Sequence, residues 1–278
     1  MTGPQAANAD QKAFWNGTTG ARWVQFQADM DRNLADANAG VLALAAAKPG
    51  ERVLDIGCGA GQATHLLAKA VGANGHVTGI DISAPLLDAA IAAGGANETF
   101  IAADAAFHAF APEFDLVFSR FGVMFFDDPP AAFANIRKSL KPGGRLAFVC
   151  WRPVTENQWV NVPASAAKDL LPPAPPADPL APGPFAFADP QRVKTILSGA
   201  GFGDVAIAKL DGHMNLGPDA DHAAFQMTNI GPLSRAIGEA DDTTRERVRV
   251  AVKAALDAIR SDGTIKPGIA CWLVSASA

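Results

Sequence analysis

A chain of 278 residues, 49% hydrophobic and 18% charged, carries enough apolar material for one large core, or one core with a modest cap. Its formal charge of -5 argues against nucleic acid or an anionic membrane as partner, since either usually needs a basic face to displace counterions. Small-molecule chemistry is the class left standing. Met1 to Asp10 has neither the basic patch nor the apolar core of a secretory signal, and no later run approaches a membrane span, so a cytoplasmic location is expected. Cys58, Cys150 and Cys271 are far apart and lack Cys-x-x-Cys or Cys/His metal spacing. They read as buried free thiols in a reducing compartment, with no metal.

In chain order, residues 11–47 hold Phe14, Trp15, Trp23 and Phe26 and then an Ala/Leu-rich pattern through Leu44, which predicts a helical cap. Lys48-Pro49-Gly50 is a turn. Val53-Leu54-Asp55-Ile56 is a buried strand that bends through Gly57, Gly59 and Gly61 into a helix from Ala63 to Val71. Glycines there remove the Cβ atoms that would block a ligand, so a flat polar molecule can lie on the main chain. An ordinary strand-to-helix turn is the competing reading. His65 falls inside this helix, as a packed or solvated side chain.

His76 to Ile82 is the second strand, ending in Asp81 ahead of Ser83 and Pro85, which suit a helix N-cap and first turn. An acid at the end of a second parallel strand can accept both hydroxyls of a ribose, or it can cap the helix. Thr99 to Ala103 is the third strand, followed by Asp104-Ala105; Phe114 to Ser119 is the fourth, followed by Arg120 to Phe126. Three successive strand ends finish in carboxylates, where open α/β sheets bind ligands. Asp127-Asp128-Pro129-Pro130 superficially matches the Asp-Pro-Pro-Tyr signature of nucleobase methylation, but Ala131 replaces the stacking aromatic. It reads as the cap of a helix Ala131 to Leu140. Lys141-Pro142-Gly143-Gly144 is then a turn into strand Arg145 to Trp151.

Residues 152–188 are proline-dense at Pro172 to Pro176 and Pro179 to Pro184 and read as a long, stiff surface loop. A helix from Asp189 to Leu197 and a strand from Gly203 to Leu210 follow. Asp219 to Ile237 and Asp242 to Arg260 are helical in pattern, the second with Val248, Val252, Leu256 and Ile259 on one face and Asp262-Gly263 as its stop. Ile269 to Val274 is a last strand.

Asp55-x-Gly57-x-Gly59-x-Gly61 resembles motif I of the class I S-adenosylmethionine-dependent methyltransferases, and the Leu140-Lys141-Pro142-Gly143-Gly144 turn resembles that of the ubiquinone and menaquinone C-methyltransferase (type 11) group. A dinucleotide fingerprint would want Gly or Ala where Gln62 stands. The resemblance runs over residues 52–151. It implies a Rossmann-like α/β sheet of seven strands with the last antiparallel, inserted between the fifth and sixth. It also implies four segments: an N-terminal helical cap over 1–50, a cofactor-binding core over 51–151, a substrate-side loop over 152–188, and a C-terminal part over 189–278 with a helical lid at about 217–262.

By the same resemblance, Asp55, Gly57, Cys58, Gly59, Gly61, Gln62 and Ser119 border the methionine part of S-adenosylmethionine. Asp81 and Ile82 meet its ribose, and Asp104 and Ala105 its adenine. Trp15 and Trp23 face the sulfonium or the carboxylate end, with Phe121, Met124 and Phe125 as an apolar substrate wall; core packing is the other reading of these aromatics. In-line methyl transfer to a small, partly apolar acceptor is the expected reaction, with S-adenosylhomocysteine as product. A general base is needed only if the nucleophile carries a proton to lose, and His108, His213 and His222 are the candidates. An NAD(P)-dependent oxidoreductase and a nucleoside-binding protein without catalysis are the alternatives. Acceptor, attacking atom and oligomeric state are not legible.

Overall fold

Val53 and Leu54 have no exposed surface and lie in the middle of a seven-stranded sheet in the computed structural model, which describes residues 8–173 and 178–278. Four helices precede it: α1 (Ala9–Asn16), α2 (Thr18–Gln25), α3 (Gln27–Asn33) and α4 (Ala35–Ala45). The core then alternates β1 (Arg52–Ile56), α5 (Gln62–Val71), β2 (His76–Asp81), α6 (Ala84–Ala93), β3 (Glu98–Ala102), β4 (Phe114–Arg120), α7 (Pro129–Arg137) and β5 (Leu140–Trp151). After it come α8 (Gln158–Ala167), α9 (Pro190–Gly199), β6 (Gly203–His213), α10 (Ala220–Asn229), α11 (Pro232–Ile237), α12 (Asp242–Asp257), β7 (Arg260–Ser261), β8 (Thr264–Ile265) and β9 (Gly268–Ser277).

The sheet order is β3-β2-β1-β4-β5-β9-β6. β1 to β5 pair in parallel, and β9 lies antiparallel between β5 and β6. Parallel strands covered by helices on both faces must be apolar throughout, which is why β1 and β4 read as unbroken hydrophobic runs. The order reverses between β1 and β4, the switch point beyond whose C-terminal ends open α/β sheets bind ligands.

The structure departs from the sequence reading in four places. Lys141 to Gly144 does not precede the fifth strand but lies within β5, as a bulge between the pairs Phe114↔Leu140 and Leu116↔Arg145. Within 152–188, read as a loop, Trp159, Pro163 and Ala167 form the buried face of α8. Pro163 costs that helix a hydrogen bond, and packing of Trp159 against Trp151, ring centroids 4.8 Å apart, offsets it. Part of the proline run, residues 174–177, lies outside the described residues. The end of the passage is docked rather than loose: Phe187 is fully buried and Gly183 N donates to Met124 O at 3.1 Å.

Ser83, expected to cap α6, gives its hydroxyl to Trp15 O at 2.8 Å instead, and Asn16 Oδ1 accepts from Ala84 N at 2.9 Å in its place. The Asp262-Gly263 stop is the turn of the β7–β8 hairpin, with positive φ at both residues. Asp128, Asp189, Asp219 and Asp241 do cap their helices, α7, α9, α10 and α12.

α8, α10, α11 and α12 form a helical layer whose apolar seam includes the fully buried Val248, Val252 and Leu256. It closes onto the N-terminal helices. Buried Asn33 donates Nδ2 to Gln226 Oε1 at 2.8 Å, and Arg235 lies 4.3 Å over the Phe14 ring. No helix among the described residues is long and apolar enough to cross a membrane.

Candidate active site

The turn after β1 holds Gly57, Gly59 and Gly61 at φ +67°, +55° and +86°, so all three use the left-handed backbone that other residues avoid. Their surroundings differ. A Cβ on Gly57 would strike the Gly122 Cα at 2.7 Å, and one on Gly61 would meet His65 Nε2 at 2.8 Å; a Cβ on Gly59 would meet nothing within 4 Å. Only Gly59 offers open backbone to a ligand. Cys58 turns its side chain inward onto Gly79, with burial pushing its thiol up, so it presents main chain only.

Asp81 is locked beneath this turn. Its Oδ2 accepts from Gly59 N and its Oδ1 from Ser83 N, each at 2.8 Å, so the carboxylate is oriented before any ligand arrives. Burial raises its pKa while these amides oppose the rise. Asp55 is 1% exposed, accepts from Thr64 Oγ1 at 2.7 Å through Oδ2, and leaves Oδ1 buried without a partner. Burial pushes its carboxyl up to about 7, against the Thr64 hydrogen bond and the charge of Arg120.

Arg120 is a charge that strand patterning did not single out, although it stands directly after an apolar run. Its side chain is 11% exposed, donates to Gln62 Oε1 and lies 3.7 Å from Asp31 of α3. Desolvation lowers its pKa, and the nearby Asp31 and Asp55 carboxylates oppose the shift. It joins β4, α5 and the N-terminal helices through Gln62 and Asp31.

The third strand end is covered by the start of α1. Asp104 Oδ1 accepts from Ala106 N at 2.9 Å and Oδ2 from Asn8 Nδ2 at 2.8 Å, while Asn16 Nδ2 donates to Ile82 O at 2.8 Å. Ala105 is buried behind Asp104, and its carbonyl accepts from Asn135. Trp15 stands edge-on to Trp23 at 5.6 Å and to Phe125 at 5.5 Å, so α1, α2 and the loop after β4 share one aromatic cluster.

Other expected residues sit elsewhere. Ser119 is fully buried; its hydroxyl donates to Ile56 O at 2.8 Å and accepts from Gly122 N, so it holds two loops together rather than facing a ligand. Met124 is 1% exposed and belongs to the core, not to a pocket wall. Phe121, at φ +64°, stacks on Trp151 at 4.3 Å, and Trp159 and Phe185 extend that aromatic run.

None of the three histidines meets the glycine turn. His108 lines a cavity of about 260 Å³ with Arg52, His76 and Glu113, near the starts of the strands. His213 ends β6, exposed. His222 Nε2 lies 3.0 Å from Asp29 Oδ2 beside a cavity of about 310 Å³ bordered by Arg32 and Thr264. His65 bonds Glu98 at 2.7 Å and is structural.

A family model described as a methyltransferase domain matches residues 53–144, from β1 to the bulge in β5. This stretch matches a methyltransferase domain. The chain is 38% identical over 130 residues to aklanonic acid methyltransferase DauC of Streptomyces sp. strain C5, covering 45% of this chain and 56% of that one. It is 36% identical over 143 residues to 2-phytyl-1,4-naphtoquinone methyltransferase of Synechococcus elongatus, covering 45% and 60%. The chain thus spans little more than half the length of these two relatives. Among solved structures, phosphoethanolamine N-methyltransferase 2 of Haemonchus contortus, in complex with S-adenosyl-L-methionine, superposes with a TM-score of 0.53 at 19% identity, covering 87% of this chain and 52% of that one. YcgJ of Bacillus subtilis gives 0.55 at 17%, covering 87% and 98%. These share the methyltransferase domain's fold.

Proposed function

We propose that this protein transfers the methyl group of S-adenosylmethionine to a small, partly apolar acceptor. The observation that carries the reading is the unpartnered, buried Oδ1 of Asp55 beside a glycine turn open only at Gly59 and an Asp81 carboxylate already oriented by backbone amides. An acceptor atom without a donor suits the cofactor's ammonium group, and Asp81 suits two ribose hydroxyls. Asp104 with the Ala105 amide lies toward adenine, and the main chain from Gly57 to Gln62 lies under the methionine part. When bound, S-adenosylmethionine supplies a methyl group activated by the sulfonium charge.

The chain's own contribution is alignment and exclusion of water. The Trp15, Trp23 and Phe125 cluster borders the sulfonium end, where aromatic faces favour a cation. The Phe121–Trp151–Trp159–Phe185 run gives the acceptor an apolar surface. We read the N-terminal helices as a cap and α10 to α12 as a lid that together define the acceptor. Relatives named for aklanonic acid and a phytyl naphtoquinone agree with a partly apolar acceptor. No histidine is assigned as a base, since none borders the turn. Three buried free cysteines agree with a cytoplasmic location.

The antiparallel β9 and Gln62 disfavour a nicotinamide enzyme. Thermal shifts with S-adenosylhomocysteine and NAD separate the two: at a hundred times its dissociation constant a ligand adds about 2.7 kcal/mol. A shift with NAD alone would sink the proposal. Transfer of labelled methyl from S-adenosylmethionine into a small-molecule extract tests catalysis, and bound cofactor with no labelled product would leave a nucleoside-binding protein.

A further inference from the structure

Asn8 opens α1 in the left-handed backbone region, φ 63°, with 6% of its surface exposed. Its main-chain N–H donates to Asp127 Oδ2 at 2.5 Å and its Nδ2 to Asp104 Oδ2 at 2.8 Å. A carboxylate only accepts, so Asp104 dictates which end of the carboxamide faces it. The other end, Oδ1, is buried and has no hydrogen-bond partner among the described residues. Gln11, Gln27, Asn33, Asn38 and Asp55 also bury an oxygen without a donor, but Asn8 alone of these is hydrogen-bonded to the strand end that the S-adenosylmethionine reading assigns to adenine.

Asn8 thus occupies the position on Asp104 that the sequence reading reserves for an adenine amine, and it brings an unfilled acceptor with it. We propose that Asn8 reads the adenine ring: Oδ1 accepts from the exocyclic amine while Asp104 and Asp127 hold the residue in register. This rests on the S-adenosylmethionine reading of the site. An amine presents a donor where a hypoxanthine ring presents a carbonyl oxygen, so a fixed acceptor favours the first and opposes the second. At its far end α1 is tied to the β2–α6 junction by Asn16, through Ile82 O and Ala84 N. The acceptor offered to adenine and the contacts that seat α1 therefore lie at the two ends of one helix.

Isothermal titration calorimetry of the full chain with S-adenosylhomocysteine and with S-inosylhomocysteine, its deaminated counterpart, tests this. The wild type is expected to prefer the adenosyl compound, and Asn8→Ala to shrink that preference by about tenfold, mostly through weaker adenosyl binding. Asn16→Ala, which loosens α1 without touching Asp104, should weaken both ligands alike. An unchanged preference in Asn8→Ala would overturn the inference while leaving the cofactor reading intact. Tighter binding of both ligands would also overturn it, making Asn8 a plug. A wild type that bound neither compound would bring down the cofactor reading and this inference together.

Discussion

Gly57 and Gly122 meet backbone to backbone: a Cβ on Gly57 would stand 2.7 Å from the Gly122 Cα, and one on Gly122 would stand 2.6 Å from Ile56 O. The loops after β1 and β4 are therefore one packed unit, bolted by the Ser119 hydroxyl to Ile56 O and Gly122 N. The floor of the switch point is set by this contact rather than by either loop alone.

Gly122→Ala and Gly57→Ala should each cost about 1–3 kcal/mol or more by overpacking, with left-handed strain added at Gly57. Gly59→Ala should carry only the backbone strain, about 1–2 kcal/mol, and give a folded protein with weakened S-adenosylhomocysteine binding. Urea midpoints and calorimetry separate the two classes. A Gly122→Ala variant as stable as wild type would refute the packing argument.

Asp55 makes stability depend on pH. Its carboxyl ionises near 3.8 when unfolded and is pushed up to about 7 when buried. Between those values the folded state keeps a proton the unfolded state has lost, so stability declines as pH rises through the window. Asp55→Asn removes this share of the dependence and leaves that of Asp81, whose carboxyl burial also raises. At pH 8 it should be more stable than wild type, by on the order of 4 kcal/mol at most, and should lose S-adenosylhomocysteine binding. Melting curves from pH 4 to 8 would show parallel lines if the argument were wrong.

Arg120 couples to Asp31 of α3. Arg120→Met leaves the buried Asp55 and the half-buried Asp31 without their cation and should cost about 3 kcal/mol; Arg120→Met with Asp31→Asn should recover part of that loss. Additive urea midpoints in the double-mutant cycle would mean the pair is uncoupled.

Phe121 holds a bulky side chain at φ +64°, where only glycine is at ease. Its stack on Trp151 offsets the strain. Phe121→Ala loses the ring and keeps the strain, so it should be less stable than Phe121→Gly by about 1 kcal/mol, reversing the usual order. Thermal denaturation of both variants decides.

The path from β1 through the glycine turn to α5 was legible, as were the ends of β2 and β3, because each is announced by an apolar run followed by Gly, Ser or Asp. The resemblance also placed the last strand antiparallel between the fifth and sixth, where β9 lies. α8 was hidden by Pro163, a helix breaker in isolation that is tolerated once Trp159 packs on Trp151. Met124 read as a pocket wall and is core, since an apolar residue after a strand gives no sign of which way it faces. Asn8 lies at the start of the chain with no local pattern to mark it, and its partners are 96 and 119 positions away.

The span of β1, the aspartate caps of α7 and α9 and the glycine bend were determined by the sequence itself, because periodicity, capping and left-handed backbone are settled there within a few neighbouring residues. The tertiary structure alone decided that Gly59 is the one open glycine of the turn, that Arg120 reaches Gln62 across 58 positions, and that Asn8 rests on Asp104. Those depend on loops from distant strands closing over one another, and burial and hydrogen-bond satisfaction exist only after that closure.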